Sequence, residues 1–354
     1  MAKDHFIPAA LIGRFSEDEN VSPRKRRVRV LRSNGTTAIS RAERIGYGNR
    51  LYDVDNEMFP TRGSSAVDDT WSTYEGNLSA ALDNLIAGNV SASEWIDTLV
   101  PFVAATFARD RGYKSRVEHR LSTAAMPIHS SEDDEIHSYI LDDTNINLNR
   151  VLEMDRHAAK ALASEWTVYE TDGDIVLPDV GYGFELVGEN PDILALILPI
   201  GRRHVLQLIP TASRSILSIR DNVWIPNIEY APYVSTAEKL NVELAKAAQD
   251  FVAGTEAAVG RLTVQNLGVF NWHSLEELVA IWPFRVDTRK LMGLHKVVSA
   301  LVSGEINSPS KVILSPYHAI SETEPSAAVI FARKDIRADN FLTMDGTGLV
   351  LAVN

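Results

Sequence analysis

The hydrophobic period of this chain changes near Glu165. Before that point apolar residues recur at alternating steps of three and four, and after it they fall into short runs rich in β-branched and aromatic residues. A chain patterned in this way is restricted to an α+β class, with a helical N-terminal half packed on a small antiparallel sheet. Val67, Trp71, Tyr74, Leu78, Leu82 and Leu85 predict one amphipathic helix over 66–87 that stops at Gly88. Trp95, Leu99, Phe102, Val103 and Phe107 predict a second helix from about Ser93, with Gly112 near its end, and Val151, Met154, Ala158 and Leu162 predict a third over 147–163.

Strands are expected at 26–32, 165–170, 174–178, 192–198 and 203–209, separated by turn residues. Asn34-Gly35 predicts a two-residue type I′ turn with a return strand over 36–40. Ser235 and Glu238 read as a capping box opening a helix that carries Leu240, Leu244, Ala248 and Phe251 and stops at Gly254. Helices at 273–282 and 288–303 and strands at 311–314, 327–333 and 347–353 suggest a further α+β C-terminal segment. The expected division is a domain over 1–256 and an extension or subdomain over 257–354.

The chain contains no cysteine, which removes disulfides, thiolate metal sites and cysteine nucleophiles and is compatible with a reducing cytoplasm. The N-terminal segment does not read as a signal peptide. The most apolar window, Ile193 to Ile200, is far shorter than the ~20 residues needed to span a bilayer, so no membrane partner is expected. A net charge of −12 argues against a surface that embraces nucleic acid as a whole. Residues 1–50 nonetheless hold eleven Lys and Arg against five Asp and Glu. Nucleic-acid binding through Arg27 and Arg29 is one reading of that excess. The other is a solvated strand face, because Arg27, Val28, Arg29 and Val30 alternate at strand period.

Phosphate-binding glycine loops, the His-Glu-x-x-His motif and the Gly-x-Ser-x-Gly elbow are all missing, so no motif names a cofactor, metal or small-molecule ligand. His129 and His137 lie eight apart, which is not a one-turn ligand spacing.

Several short segments in order resemble a bacterial family. His5-Phe6-Ile7-Pro8 with Leu11 and Arg14-Phe15, Asn49 to Tyr52, Tyr74-Glu75, Phe107-Ala108-Arg109, Ile175 to Asp179, Leu198-Pro199-Ile200 and Leu240-Asn241 with Phe251-Val252 are similar to segments of domain-of-unknown-function family 4238. The resemblance covers roughly residues 1–256 and implies no activity. Asp179 is followed here by Val180 and Gly181, where that family commonly has a nearby proline.

Five polar residues set into apolar surroundings are the candidate site: His5, Glu75, Arg109, Asp179 and Asn241. Arg109 lies seven after Phe102 and so continues the apolar face of its helix, where a buried guanidinium needs a carboxylate or a polar ligand, and Glu75 and Asp179 are the natural partners. Two functions follow from the set. One is a hydrolase of phosphodiester or nucleotide substrates, with Arg109 steadying developing negative charge. The other is a non-catalytic ligand- or partner-binding protein in which the same residues form a structural hydrogen-bond network.

Overall fold

The computed structural model describes residues 3–55, 63–124, 138, 141–162, 164–186, 194–210, 217–220 and 223–269, and four short strand segments beyond them. The helices expected at 273–282 and 288–303, and His129 and His137, lie outside the described residues. The four outlying segments form two antiparallel pairs, Val312–Ile313 with Ile330–Phe331 and Leu342–Asp345 with Gly348–Leu351.

Strand alternation builds the first sheet. In β2 (Arg27–Arg32) Val28 and Val30 are buried while Arg27 is exposed, so the hairpin it forms with β3 (Thr37–Arg41) has one apolar face. The turn is not the expected two-residue type. Arg32 N–H donates to Thr36 O, Gly35 alone takes positive φ (84°), and the Asn34 carboxamide oxygen accepts from Thr36 N–H. Three residues therefore close the loop, with glycine in the left-handed position. Ahead of this hairpin, β1 (Lys3–His5) and α1 (Ala9–Gly13) begin the chain, and β1 pairs antiparallel with β4 (Tyr47–Asn49).

The helix expected over 66–87 is two helices, α2 (Ala66–Glu75) and α3 (Leu78–Ala87), interrupted at Gly76-Asn77, two residues of low helix propensity. Gly88 ends α3 in the left-handed conformation. Ala92–Glu94, a π-helical stretch Trp95–Leu99 and Val100–Ala108 run on as α4. Pro101 stands just beyond the π stretch: it has no N–H to donate four residues back, and just ahead of it Val100 N–H donates five residues back to Trp95 O. α5 (Tyr113–Ala124) and α6 (Asp143–Leu162) complete the helical layer.

Five strands form the second sheet in the order β12-β5-β9-β8-β7: β5 (Ser164–Glu170), β7 (Gly183–Leu186), β8 (Leu194–Gly201), β9 (His204–Pro210) and β12 (Ile228–Pro232). All neighbours are antiparallel except β12 with β5. A separate hairpin joins β10 (Leu217–Arg220) to β11 (Val223–Pro226). Trp95 of α4 meets Trp166 of β5 edge-on at 4.3 Å, and Trp166 Nε1 donates to Ala161 O, which seats the helices on the sheet. The class is α+β, as the sequence pattern implied.

The largest departure lies after α7 (Ala237–Ala247). Thr236, not Ser235, caps it by accepting from Lys239 N–H. The helix ends at Ala247, and Phe251–Gly254 is a strand, β13, that stands between β2 and β6 (Leu177–Pro178) in a four-stranded sheet ordered β3-β2-β13-β6. All four residues of β13 are buried, so pairing and burial outweigh a helical period that ran on through Phe251. The core continues past residue 256 into α8 (Glu256–Val259), through Ala258 and Val259, and on to Leu262 and Leu267.

Candidate functional site

Three of the five candidate residues come together where β1, α2 and the end of α4 meet. Arg109 is the C-cap of α4 and is only 2% exposed. Its Nη1 donates to Tyr74 Oη at 3.0 Å and to Glu75, its Nη2 donates to the backbone carbonyl of His5, and its guanidinium lies 5.6 Å from the Trp71 ring centre and 5.8 Å from that of Tyr52. Burial works against the charge. The partner groups Tyr74, Glu75 and Tyr52 outweigh it and hold the pKa well above the usual arginine range. Burial also drives the Tyr74 hydroxyl upward, so that it stays a neutral acceptor for Arg109.

His5 pairs with Tyr47 across β1 and β4. Burial lowers its pKa, aided by the Arg109 and Arg24 charges and opposed by Glu75, so the imidazole is neutral at pH 7. Its Nε2 is buried without a hydrogen-bond partner among the described residues, as are Arg109 Nε and Trp71 Nε1. Beside the cluster runs a narrow crevice of about 230 Å³, counting the solvent at its mouth, lined by Phe6, Pro8, Leu11, Phe102, Val180 and Arg109 among others.

Asp68 belongs to the same neighbourhood and was not among the sequence candidates. It is seven residues before Glu75, two helical turns along one face of α2, and that spacing was the available signal. Burial pushes its carboxyl up to about 6, with the Asp4 carboxylate adding to the rise and Arg109 opposing it. Asp4 is itself buried and accepts from Tyr52 N–H at 3.3 Å. The folded chain thus binds the Asp68 proton more tightly than the unfolded chain. That stabilisation is complete below the ordinary carboxyl value of 3.8 and is lost as pH rises through about 6. Between about pH 7 and pH 5 the wild type should gain on the order of 1 kcal/mol relative to Asp68→Asn, allowing for solvent screening of a half-exposed group. Urea unfolding at both pH values measures it, and equal pH slopes for the two proteins would contradict the assignment.

Asp179 and Asn241 do not join this group; both hold backbone. The two Asp179 oxygens accept from Gln249 N–H and Asp250 N–H, each at 2.7 Å. Burial pushes its carboxyl up to about 7 against the pull of those amides. The Asn241 side chain accepts from Val176 N–H at 2.8 Å and donates to Asp174 O at 3.0 Å, which clamps the segment leading into β6. The expected five-residue site is therefore a cluster of three, with two clamps elsewhere.

Two further buried arginines finish the end of α4. Arg150 donates to Ala108 O at 2.7 Å and Asp110 O at 2.8 Å, Tyr52 Oη donates to Arg109 O at 2.8 Å, and Arg116 reaches Phe107 O while pairing with Asp110. The carbonyls that an α-helix leaves open at its C-terminus are thus occupied by cationic and hydroxyl donors, the signs the helix dipole favours. Among the described residues no group of three or more His, Asp or Glu side chains could hold a metal ion. No helix among them is long and apolar enough to cross a membrane. Comparison with family models, curated proteins and solved structures finds no match for the chain.

Proposed function

We propose that the protein is a non-catalytic ligand- or partner-binding protein in which His5, Glu75 and Arg109 form a structural hydrogen-bond network. The observation that carries this reading is the enclosure of Arg109, whose two terminal nitrogens are both engaged by groups of the chain. An arginine that steadies charge in a phosphodiester transition state must present N–H groups to substrate oxygens, and here three of the five are taken by the chain while the side chain is only 2% exposed. The adjoining crevice is narrow and lined mostly by apolar side chains, which leaves little room for a substrate phosphate beside Arg109. A cytoplasmic setting goes with this reading, since a cysteine-free chain needs no oxidising compartment.

The second reading is the hydrolase acting on a phosphodiester or nucleotide. It is favoured by two perturbed titrating groups, His5 and Asp68, in one neighbourhood. In it, Asp68 serves as acid and neutral His5 as base.

The two are separated by incubating wild type and His5→Ala with bis(p-nitrophenyl) phosphate and with ATP, each with and without Mg²⁺ or Mn²⁺. The binding reading expects product release at the protein-free rate from both proteins. Release by wild type that His5→Ala abolishes, with the melting temperature unchanged, would replace it with the hydrolase.

A further inference from the structure

The basic excess near the N-terminus is concentrated at one end of the β2–β3 hairpin. Residues 21–50 contain nine Lys and Arg and one acid, Glu43, so the rest of the chain carries −20. Two of those arginines face acids of the second half: Arg29 pairs with Glu256 at 3.3 Å and Arg32 with Asp250 at 3.1 Å. Arg26 is occupied in donating to the backbone carbonyls of Val21 and Glu19, which fixes the approach to β2. Arg24, Lys25, Arg27 and Arg44 are exposed and have no acidic partner among the described residues.

Strand register brings these charges together. Arg27 lies directly opposite Arg41 in the β2–β3 pair, and Ala42 N–H donates to Arg26 O just beyond it. Short 3-10 turns, Pro23–Lys25 and Ala42–Arg44, extend the two strand ends and pack on each other, carrying Arg24, Lys25 and Arg44 beside the pair. Like charges directly opposite on a sheet are destabilising. Among the described residues only Glu43, 3.8 Å from Arg41, pairs with either of them. A local rule broken with so little internal compensation points to a role outside the fold.

We propose that this end of the hairpin, comprising Arg24, Lys25, Arg27, Arg41 and Arg44, binds the phosphodiester backbone of a nucleic acid without reading its bases. The inference rests on the binding reading above and names its partner. The five charges are spread over the paired ends of β2 and β3 and the two turns that pack beyond them, which suits several phosphates better than a single anion. Four of the five are arginines, whose planar fork matches phosphate oxygens. The strongly acidic remainder of the chain confines the contact to a few phosphates. Ile39, 61% exposed on the same face, is one apolar side chain, whereas a membrane surface is held by a whole apolar helix face or a lipid anchor.

The test is fluorescence anisotropy of the full chain with a labelled 20-nucleotide single strand and with the same sequence as a duplex. Five phosphate contacts predict that affinity falls about a hundredfold for the single strand and about five-hundredfold for the duplex between 50 and 200 mM salt. Arg41→Glu should weaken binding at least tenfold while leaving the melting temperature unchanged or higher, because it turns a repulsive pair with Arg27 into an attractive one. Arg27→Ala should weaken binding more than Arg29→Ala, whose arginine already has Glu256. Binding of neither oligonucleotide at 50 mM salt overturns the proposal, as does binding that Arg41→Glu leaves intact. Equal competition by poly-glutamate or phosphatidylserine vesicles overturns it in favour of another anionic partner. None of these failures bears on Arg109, whereas phosphodiester turnover would remove the binding reading itself.

Discussion

Arg109→Met should lower the stability of the fold by about 3–5 kcal/mol, the range for removing one partner of a buried charged pair. The substitution keeps much of the side-chain volume, so the loss falls on what the guanidinium holds. Glu75 would lose its cation while 30% exposed, and Tyr74 Oη and the His5 carbonyl would lose their donor in buried surroundings. These groups belong to α2 and β1, and Arg109 itself ends α4, so three elements loosen together. In a folded unit of this size the change corresponds to a fall in melting temperature of about 10 °C. Arg109→Lys should recover little of it, because a single ammonium cannot serve Tyr74, Glu75 and the His5 carbonyl from two nitrogens set in a plane. Differential scanning calorimetry of the three proteins checks this. A cost below about 1 kcal/mol for Arg109→Met would show that the cluster does not hold the fold together.

Asp179→Ala is the second large effect, with an expected cost of about 2–4 kcal/mol from two amides left without acceptors. Those amides, Gln249 and Asp250, follow directly on α7. In a longer helix they would bond to carbonyls four residues back; the Asp179 carboxylate takes them instead and turns the chain into β13. Asp179→Asn should recover part of the loss, because its amide group replaces one of the two acceptor oxygens by a donor. The carboxyl is held near 7, above its ordinary 3.8, so its contribution is greatest in acid and fades as pH rises through about 7. The gap between wild type and Asp179→Asn should therefore widen as pH is lowered from about 8 to about 5. Urea midpoints across that range read it out, and a gap that narrows toward acid would contradict the raised carboxyl.

What could be read from residues alone was whatever depends on neighbours in sequence. The alternation of Arg27 to Val30, the glycine stop at Gly88 and the period of α6 all concern residues within one or two turns of each other. Arg109 was also legible, since a charge on an apolar helix face must be paired wherever the helix lies. Phe251–Gly254 was not: its apolar residues extend the period of α7 smoothly, and only its neighbours β2 and β6, far away in the chain, make it a strand. Asp179 and Asn241 were recognisable as polar groups needing partners, but the amides and carbonyls they hold lie about seventy residues away. Arg150 sits four residues after Ile146 and four before Met154 and carried the same signal as Arg109, a cation in an apolar stripe.

The place of β13 has a consequence for how the chain is made. β2 pairs through Arg29 to Arg32 with residues 251–254, so more than two hundred residues must be synthesised before the middle of that sheet exists. At about 5–20 residues per second, the β2–β3 hairpin waits on the order of ten seconds or longer with one side of β2 open. Strand pairings this distant in sequence are slow to form, and open strand edges invite association with other chains. The crowded arginines of the hairpin repel one another across copies as well as within one. A strand end so charged is a poor template for pairing with a second copy while residues 251–254 are still to come.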